Sequence, residues 1–474
     1  MSAQATAAGA HPVINPADGS EIGRVNWSTP ADVDAAVKKA AAEFKSWGRT
    51  PVKERVQVLF RFKQILEDNI QELAELCTAE NGKTLGESKA GILKGIEVVE
   101  YATSLPQLLP GGYLEVSRGV SCRMVRDPLG VAAGITPFNF PVMVPLWMIP
   151  LALGCGNTLV LKPSEIVPLS AIRLREHLLE AGLPADAFQL VHGAREVVES
   201  LADHPDIQAL SFVGSSRVAE LVYNRGGANG KRVLALGGAK NHLVLLPDAD
   251  PELAAQNITA SYTGCAGQRC MAASVLIAVG EVQPMLDRVA ELSRQIEPGV
   301  TMGPIITPKA LERIRSYIDT AEEQGADVVV DGRAAGQPSG CEGGNWIGAT
   351  ILDNVTPDMT VACDEIFGPV LSVIRVDTLE QAIEIENGNP YGNAAAVYTR
   401  NGALAKECAE RFAASMIGIN IGVPVPREPL SFGGRGSSRF GYGDITGAGA
   451  VEFWTQARKI TERWGEPPDG GWKF

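Results

Sequence analysis

The chain has no excess of positive charge, no paired cysteine spacing and no cluster of histidines. With 42 Lys+Arg against 55 Asp+Glu, the formal net charge is −13 at pH 7. That balance does not supply the basic face a nucleic-acid partner needs. A local arginine can still oppose the global field, so anionic small substrates remain open. Eight cysteines are scattered, Cys77, Cys122, Cys155, Cys265, Cys270, Cys341, Cys363 and Cys408, with no CxxC pair. Such usage fits reduced thiols in a cytosolic protein better than a disulfide framework. The histidines, His11, His177, His192, His204 and His242, form no HxxxH or similar set, so no metal site is expected. Met1–Ala10 has no basic stretch followed by an apolar run. No secretory signal is therefore expected, and the expected location is cytoplasmic.

One absence could mislead. From Pro128 to Leu161 there is no charged residue, a run long enough to span a bilayer. Pro137, Pro141, Pro145 and Pro150 interrupt it, and broken backbone exposed to lipid is costly. The run is read as interior, with no membrane partner. There is also no internal repeat and no low-complexity segment.

What remains is ordinary globular material. A length of 474 residues suggests two or three domains, and 45% hydrophobic with 20% charged content fits a soluble protein. Thr29-Pro30-Ala31-Asp32 reads as a capped helix start with proline at its first position. Helical patterns follow over 33–47, 52–75 and 86–102. Residues 111–127 alternate like a hairpin around Arg118-Gly119. From Gly130-Val131-Ala132-Ala133-Gly134-Ile135 onward, strands (158–162, 188–191, 209–212) alternate with helices (142–153, 170–181, 196–203, 217–223). That rhythm predicts a parallel sheet with helices on both faces. A second alternation over 243–412 predicts another α/β domain. Residues 451–464, rich in β-branched and aromatic side chains, predict a strand pairing outside its own domain.

The stretch Ser261-Tyr262-Thr263-Gly264-Cys265-Ala266-Gly267-Gln268-Arg269-Cys270 stands out chemically. Glycine permits close backbone approach, and a guanidinium beside a cysteine favours the nucleophilic thiolate. A buried structural cysteine is the bland alternative. Four further signals are placed at loops after predicted strands, where α/β sheets put their ligands. Asn139, held between Phe138-Pro137 and Phe140-Pro141, offers a rigid amide for a developing oxyanion, or is a turn asparagine. Lys162-Pro163-Ser164-Glu165 joins a cation to a carboxylate. Phe212-Val213-Gly214-Ser215-Ser216 ends a strand and opens a helix suited to a diphosphate. Asp364-Glu365-Ile366-Phe367-Gly368-Pro369 is the fourth, or an acidic surface turn. No GxGxxG occurs anywhere in the chain.

Together these motifs resemble the NAD(P)-dependent aldehyde dehydrogenase superfamily along nearly the whole chain. The resemblance implies an α/β fold, with a Rossmann-like nucleotide-binding domain (1–110 and 128–236) and an α/β catalytic domain (237–437). It also implies a small β oligomerisation flap (111–127 and 438–474) and a homotetramer or homodimer. It makes Cys270 the nucleophile, and Asn139 with the Cys270 N–H the oxyanion hole. Thr136, Phe138, Lys162, Glu165, Gly214, Ser215, Glu365 and Phe367 become the cofactor contacts. Lys162 and Glu165 would hold the adenosine ribose, Ser215 a phosphate and Glu365 the nicotinamide ribose. A carboxylate at Glu165 repels a 2′-phosphate, so NAD is expected over NADP.

Hydrolytic members carry a glutamate before a Leu-Gly-Gly-Lys stretch; here no acidic residue lies between Gly226 and Leu246. Without that base, water is a poor nucleophile on a thioester, whereas an ionised thiol attacks well. The pattern resembles the CoA-acylating branch, the methylmalonate-semialdehyde dehydrogenases, as do Gly238-Ala239-Lys240-Asn241-His242 and Arg269-Cys270-Met271-Ala272. This implies coenzyme A as co-substrate and a short semialdehyde as substrate. The alternatives are a hydrolytic enzyme whose base comes from elsewhere, or another short aldehyde. Arg269 is the candidate partner for a substrate carboxylate, or else tunes the thiol. The branch leads one to expect an arginine where Lys94 precedes Gly95-Ile96-Glu97; lysine keeps the charge and loses the fork.

Overall fold

A computed structural model describes residues 10–464. The expected segments at 1–9 and 465–474 lie outside the described residues. Two open sheets dominate. The six-stranded sheet runs, in spatial order, Arg439–Gly441, Arg232–Leu236, Ile207–Val213, Val131–Ile135, Thr158–Lys162 and Phe188–Leu190. All pairs are parallel except Arg439–Gly441, which is antiparallel to Arg232–Leu236. The chain winds outward from Val131–Ile135 in one direction, then returns to build Ile207–Val213 on its other side. The switch point of this doubly wound order therefore lies beside Ile135, which is level with both Lys162 and Phe212. The fold is thus α/β with a Rossmann-like sheet, a second α/β unit and a small third sheet.

The seven-stranded sheet runs Asp327–Val330, Thr350–Asp353, Val370–Val376, Ala273–Val279, Asn241–Leu245, Ala394–Tyr398 and Met416–Ile419. Only its edge strand Asp327–Val330 is antiparallel. The third sheet joins Gly112–Ser117, Val120–Pro128 and Thr455–Arg463. Its hairpin turns at Gly119, and its outer strand Gly112–Ser117 is exposed throughout.

Local chemistry explains most elements. Thr29 caps the helix Pro30–Trp47 in a reciprocal box with Asp32, behind a proline that needs no hydrogen-bonded N–H. The uncharged run is interior: every residue of the helix Met143–Gly154 is buried. It packs against the helix Leu85–Thr103, in a cluster that includes Leu59, Phe62, Ile96, Leu146 and Trp147. Among the described residues no helix is long and apolar enough to cross a membrane.

Three expectations are corrected. The helix predicted over 52–75 is two helices, Val52–Asp68 and Ile70–Asn81. Asn69 breaks it by donating its side-chain amide to the Ile65 carbonyl at 2.8 Å, in competition with the backbone. Residues 451–464 are not one strand, because the helix Gly447–Phe453 precedes Thr455–Arg463. Burial of Phe453 and Trp454 in the main core overrides their strand propensity. Finally, residues 438–454 do not sit with the third sheet. Arg439–Gly441 joins the six-stranded sheet, and Val451 packs in the main core.

Candidate active site

The cysteine loop begins where the helix Pro251–Thr263 ends. Cys265, Ala266 and Gly267 then take left-handed backbone in succession, with φ of 53°, 54° and 70°. A side chain at Gly267 would lie 2.1 Å from the Gly368 carbonyl oxygen, so glycine alone lets this turn press against the loop carrying Glu365. The chain reverses through Gln268 and Arg269 to place Cys270 just before the strand Ala273–Val279.

Asn139 follows the strand Val131–Ile135 and is 5% exposed. Its side-chain amide donates to the Gln268 carbonyl at 3.0 Å, which brings it to the nucleophile's loop. An amide nitrogen carries two N–H groups, so one remains to face an oxyanion. On the same side, the Phe138 and Phe367 rings meet edge to face at 5.7 Å. Thr136 is buried, and its N–H donates to the Lys162 carbonyl at 3.1 Å. Lys162 and Glu165 form the expected pair at 2.9 Å. Gly214 ends the next strand, and Ser215 starts the 13-residue helix Ser216–Ala228 with its hydroxyl making no cap bond. Glu365 accepts from the Ala239 N–H at 2.9 Å. A side chain at Gly238 would approach its carboxylate to 2.3 Å.

Glu365 is the misplaced signal. It does not follow a strand; it lies between the short helix Thr360–Cys363 and the strand Val370–Val376. The expected pull of Arg269 toward the thiolate is present but outweighed. Burial pushes the Cys270 thiol up to about 12, and the Glu365 carboxylate adds to that rise. Arg269 and Lys83 pull the other way without prevailing, so the thiol is protonated at neutral pH in this state.

A family model of the "Aldehyde dehydrogenase family" matches residues 3–460. The chain belongs to the aldehyde dehydrogenase family. It is 46% identical over 460 residues to malonate-semialdehyde dehydrogenase 1 of Geobacillus thermodenitrificans, covering 95% of each protein. It is 42% identical over 461 residues to the human mitochondrial methylmalonate-semialdehyde/malonate-semialdehyde dehydrogenase [acylating], covering 96% of this chain and 86% of that one. A putative methylmalonate-semialdehyde dehydrogenase from Sinorhizobium meliloti, solved with NAD, superposes with a TM-score of 0.95. That pair is 42% identical, over 98% of this chain and 96% of the other.

Within this family member, several positioning residues escaped sequence reasoning. Asn241 and Asn393 both donate to the Cys270 carbonyl, at 2.9 and 2.8 Å. Asn241 also donates to the Ala272 carbonyl at 2.9 Å and accepts from the Ala394 N–H at 3.1 Å. Two amides from separate segments thus fix the Cys270 peptide. Buried Lys83 donates to the Asn139 carbonyl and lies 3.7 Å from the Phe140 ring centre. Asn81 donates to the Phe138 carbonyl at 2.8 Å. Glu87 closes a capping box with Thr84 and accepts from the Cys265 N–H at 2.6 Å with its other oxygen. The Thr84-x-x-Glu87 spacing was a legible sign of that helix start; nothing local marked the two asparagines.

The substrate candidates are both engaged. Arg269 donates through Nη2 to the Ala260 and Ser261 carbonyls, each at 2.7 Å. Lys94 pairs with Glu97 at 2.7 Å and with Glu428 at 3.5 Å.

Proposed function

We propose that the chain oxidises a (methyl)malonate-semialdehyde-type aldehyde with NAD, through a thioester on Cys270, and passes the acyl group to coenzyme A. The supporting observation is that, among the described residues, the one carboxylate acting on Cys270 is already hydrogen-bonded. The carboxylate bearing on the Cys270 thiol is Glu365, already engaged by the Ala239 N–H, and no acid stands between Gly226 and Leu246. The printed names of the relatives, malonate-semialdehyde dehydrogenase and an acylating human enzyme, support the same substrate class and acceptor.

The residues present fit NAD. Lys162 and Glu165 suit the adenosine ribose, and Gly214 with the free Ser215 hydroxyl suits a diphosphate at a helix N-terminus. Glu365, beside side-chain-free Gly238, would suit the nicotinamide ribose, with Thr136, Phe138 and Phe367 as further candidate contacts. When bound, NAD supplies a two-electron acceptor. Glu165 accepts from a ribose hydroxyl and opposes a 2′-phosphate, which favours NAD over NADP.

Cys270 releases its proton to solvent and the thiolate adds to the aldehyde carbon. The resulting oxyanion accepts from the second Asn139 N–H and the Cys270 N–H. Oxidation leaves a thioester. Where a carboxylate lies β to that carbonyl, loss of CO₂ moves the C–C electron pair into the thioester enolate, which takes up a proton. The coenzyme A thiolate then attacks, breaking the bond to Sγ and releasing acetyl-CoA or propanoyl-CoA. A homotetramer or homodimer built on the hairpin 112–128, whose outer strand Gly112–Ser117 is exposed, completes the proposal.

The test is NADH formation from malonate semialdehyde and from propanal, with and without coenzyme A, with the acyl product identified. Turnover that requires coenzyme A and yields an acyl-CoA is expected. Steady turnover to free acid without coenzyme A would refute the acylating reading and point to Glu365 as the base for water.

A further inference from the structure

Glu80-Asn81-Gly82-Lys83 lies where the helix Ile70–Asn81 ends and the chain turns toward the helix Leu85–Thr103. Its three polar residues are each at most 5% exposed, a costly placement unless their polar groups find partners. The Glu80 carboxylate accepts from the Leu169 and Ser170 N–H groups at 2.8 and 3.0 Å and so holds the start of the helix Leu169–Glu180. Asn81 and Lys83 have different partners. They donate to the carbonyls of two successive residues, Phe138 and Asn139. The backbone that carries the Asn139 amide is thus gripped at two adjacent peptides.

Gly82 reaches the other partner of that amide. Its φ is 87°, and a side chain there would lie 2.7 Å from the Pro304 ring, while one at Gly303 would lie 2.1 Å from the Gly82 carbonyl oxygen. The Pro304 carbonyl accepts from the Gln268 side chain at 3.2 Å, whose own oxygen takes the Ile306 N–H at 3.1 Å. Gln268 is the residue whose backbone carbonyl receives the Asn139 amide at 3.0 Å. Further along, Glu87 holds the Cys265 N–H at 2.6 Å, the first of the left-handed residues that lead to Cys270. One short stretch therefore holds Asn139 directly, Gln268 through Pro304, and the cysteine turn at its start. The charge of Lys83 bears on both the Cys265 and the Cys270 thiols, which places the stretch within electrostatic reach of the reacting sulfur.

We infer that residues 81–87 are a positioning strut: Asn81 and Lys83 fix the Asn139 amide, Gly82 and Glu87 fix the cysteine turn, and together they set the oxyanion donor against Cys270. The inference rests on the reading of Cys270 as the nucleophile and Asn139 as the oxyanion donor. A donor already aimed at the developing charge stabilises it more than one that must first reorient. Releasing the Asn139 carbonyl leaves the amide chemically intact but free to drift from the reacting carbon, and small misplacements of this kind are expensive in rate. The residues of the strut act through Asn139 and the turn, not on the substrate.

The test is a double-mutant cycle on the first-turnover rate of NADH formation at saturating NAD, with the better of malonate semialdehyde and propanal as substrate and Tm recorded for each variant. Asn139→Ala should lower that rate about 100-fold and Lys83→Met about tenfold. In the Asn139→Ala background no amide is left to position, so adding Lys83→Met should lower the rate less than about twofold further. Should Lys83→Met fail to fold, Asn81→Leu frees the neighbouring carbonyl and enters the same cycle with the same expectation. Glu80→Gln is the control: an equally buried neighbour whose hydrogen bonds go to neither loop, it should keep the rate within about twofold whatever it does to Tm. A full tenfold loss from Lys83→Met on top of Asn139→Ala, or a matching loss in Glu80→Gln, makes the stretch merely structural and overturns the inference. An unmoved rate in Lys83→Met beside an impaired Asn139→Ala overturns this inference alone. A wild type that oxidises neither aldehyde, or an Asn139→Ala variant as fast as wild type, overturns the underlying reading and this inference with it.

Discussion

The two large sheets are built alike and used in opposite ways. In the six-stranded sheet the candidate ligand residues end or follow a strand: Asn139 after Val131–Ile135, Lys162 at the end of Thr158–Lys162 with Glu165 after it, Ser215 after Ile207–Val213. In the seven-stranded sheet the candidate site residues precede strands: Cys270 before Ala273–Val279, Glu365 before Val370–Val376, Asn393 before Ala394–Tyr398. Parallel sheets place ligands at the carboxyl ends of their strands, where helix N-termini and loops converge. Only the first sheet follows that rule. The second presents its opposite edge, and there side-chain amides, not helix N-termini, hold the Cys270 backbone. One edge is built to bind, the other to fix a reacting atom.

That division can be broken by experiment. The largest effect belongs to the nucleophile: Cys270→Ala should lower NADH formation by at least about 10⁴-fold, and residual turnover above that would remove Cys270 from the chemistry. Next come the amides on its carbonyl. Asn241→Leu and Asn393→Leu each leave a part-buried carbonyl short of a donor and should lower kcat about tenfold, the double variant about 100-fold. A loss confined to the KM for NAD would instead place them on the binding edge. The converse holds for Lys162→Ala and Glu165→Gln. Both should raise the KM for NAD about tenfold with a smaller change in kcat, and Glu165→Gln should also narrow the preference for NAD over NADP.

Two smaller effects concern charge. Because burial and Glu365 raise the Cys270 thiol to about 12, its alkylation by iodoacetamide without cofactor should quicken about tenfold per pH unit across the alkaline range. Glu365→Gln removes the like charge and should speed alkylation several-fold at any one pH; no change would mean that Glu365 does not bear on the thiol. The smallest effect is on stability. Lys240 is buried with no hydrogen-bond partner for its side-chain nitrogen among the described residues, and burial lowers its pKa from 10.5 to about 7 despite the nearby Glu365 and Asp364. Between those values the unfolded chain holds a proton that the folded chain lacks. Stability from this group therefore rises with pH over that window, and the penalty is full below it. Lys240→Met should raise Tm by a few degrees at pH 7, with the gain shrinking toward pH 10. A pH-independent gain would point to packing alone.

Much of this was legible locally. Thr29 and Asp32, the proline-broken uncharged run and the hairpin at Gly119 act through neighbours in sequence, so pattern alone locates them. The motif residues Asn139, Lys162, Ser215, Cys270 and Glu365 were named for the same reason, each within a short distinctive stretch. Asn241, Asn393 and Lys83 were not given roles, because their partners lie 29, 123 and 56 residues away. An asparagine or lysine looks alike in sequence whether it faces water or a nucleophile's carbonyl. The break at Asn69 and the helix before Thr455 were missed because a side-chain hydrogen bond and core burial outweighed periodicity.

By itself, then, the sequence determined most of the elements, the alternation that makes both large sheets mainly parallel, and the motifs that make Cys270, Asn139 and the cofactor residues candidates. These depend on residue type and short-range spacing. Tertiary structure alone decided that one sheet meets the other by its opposite edge, that the thiol is held protonated, and that Lys94 is already paired. Each of these depends on burial and on charges brought close from distant parts of the chain, and neither is a property of any local stretch.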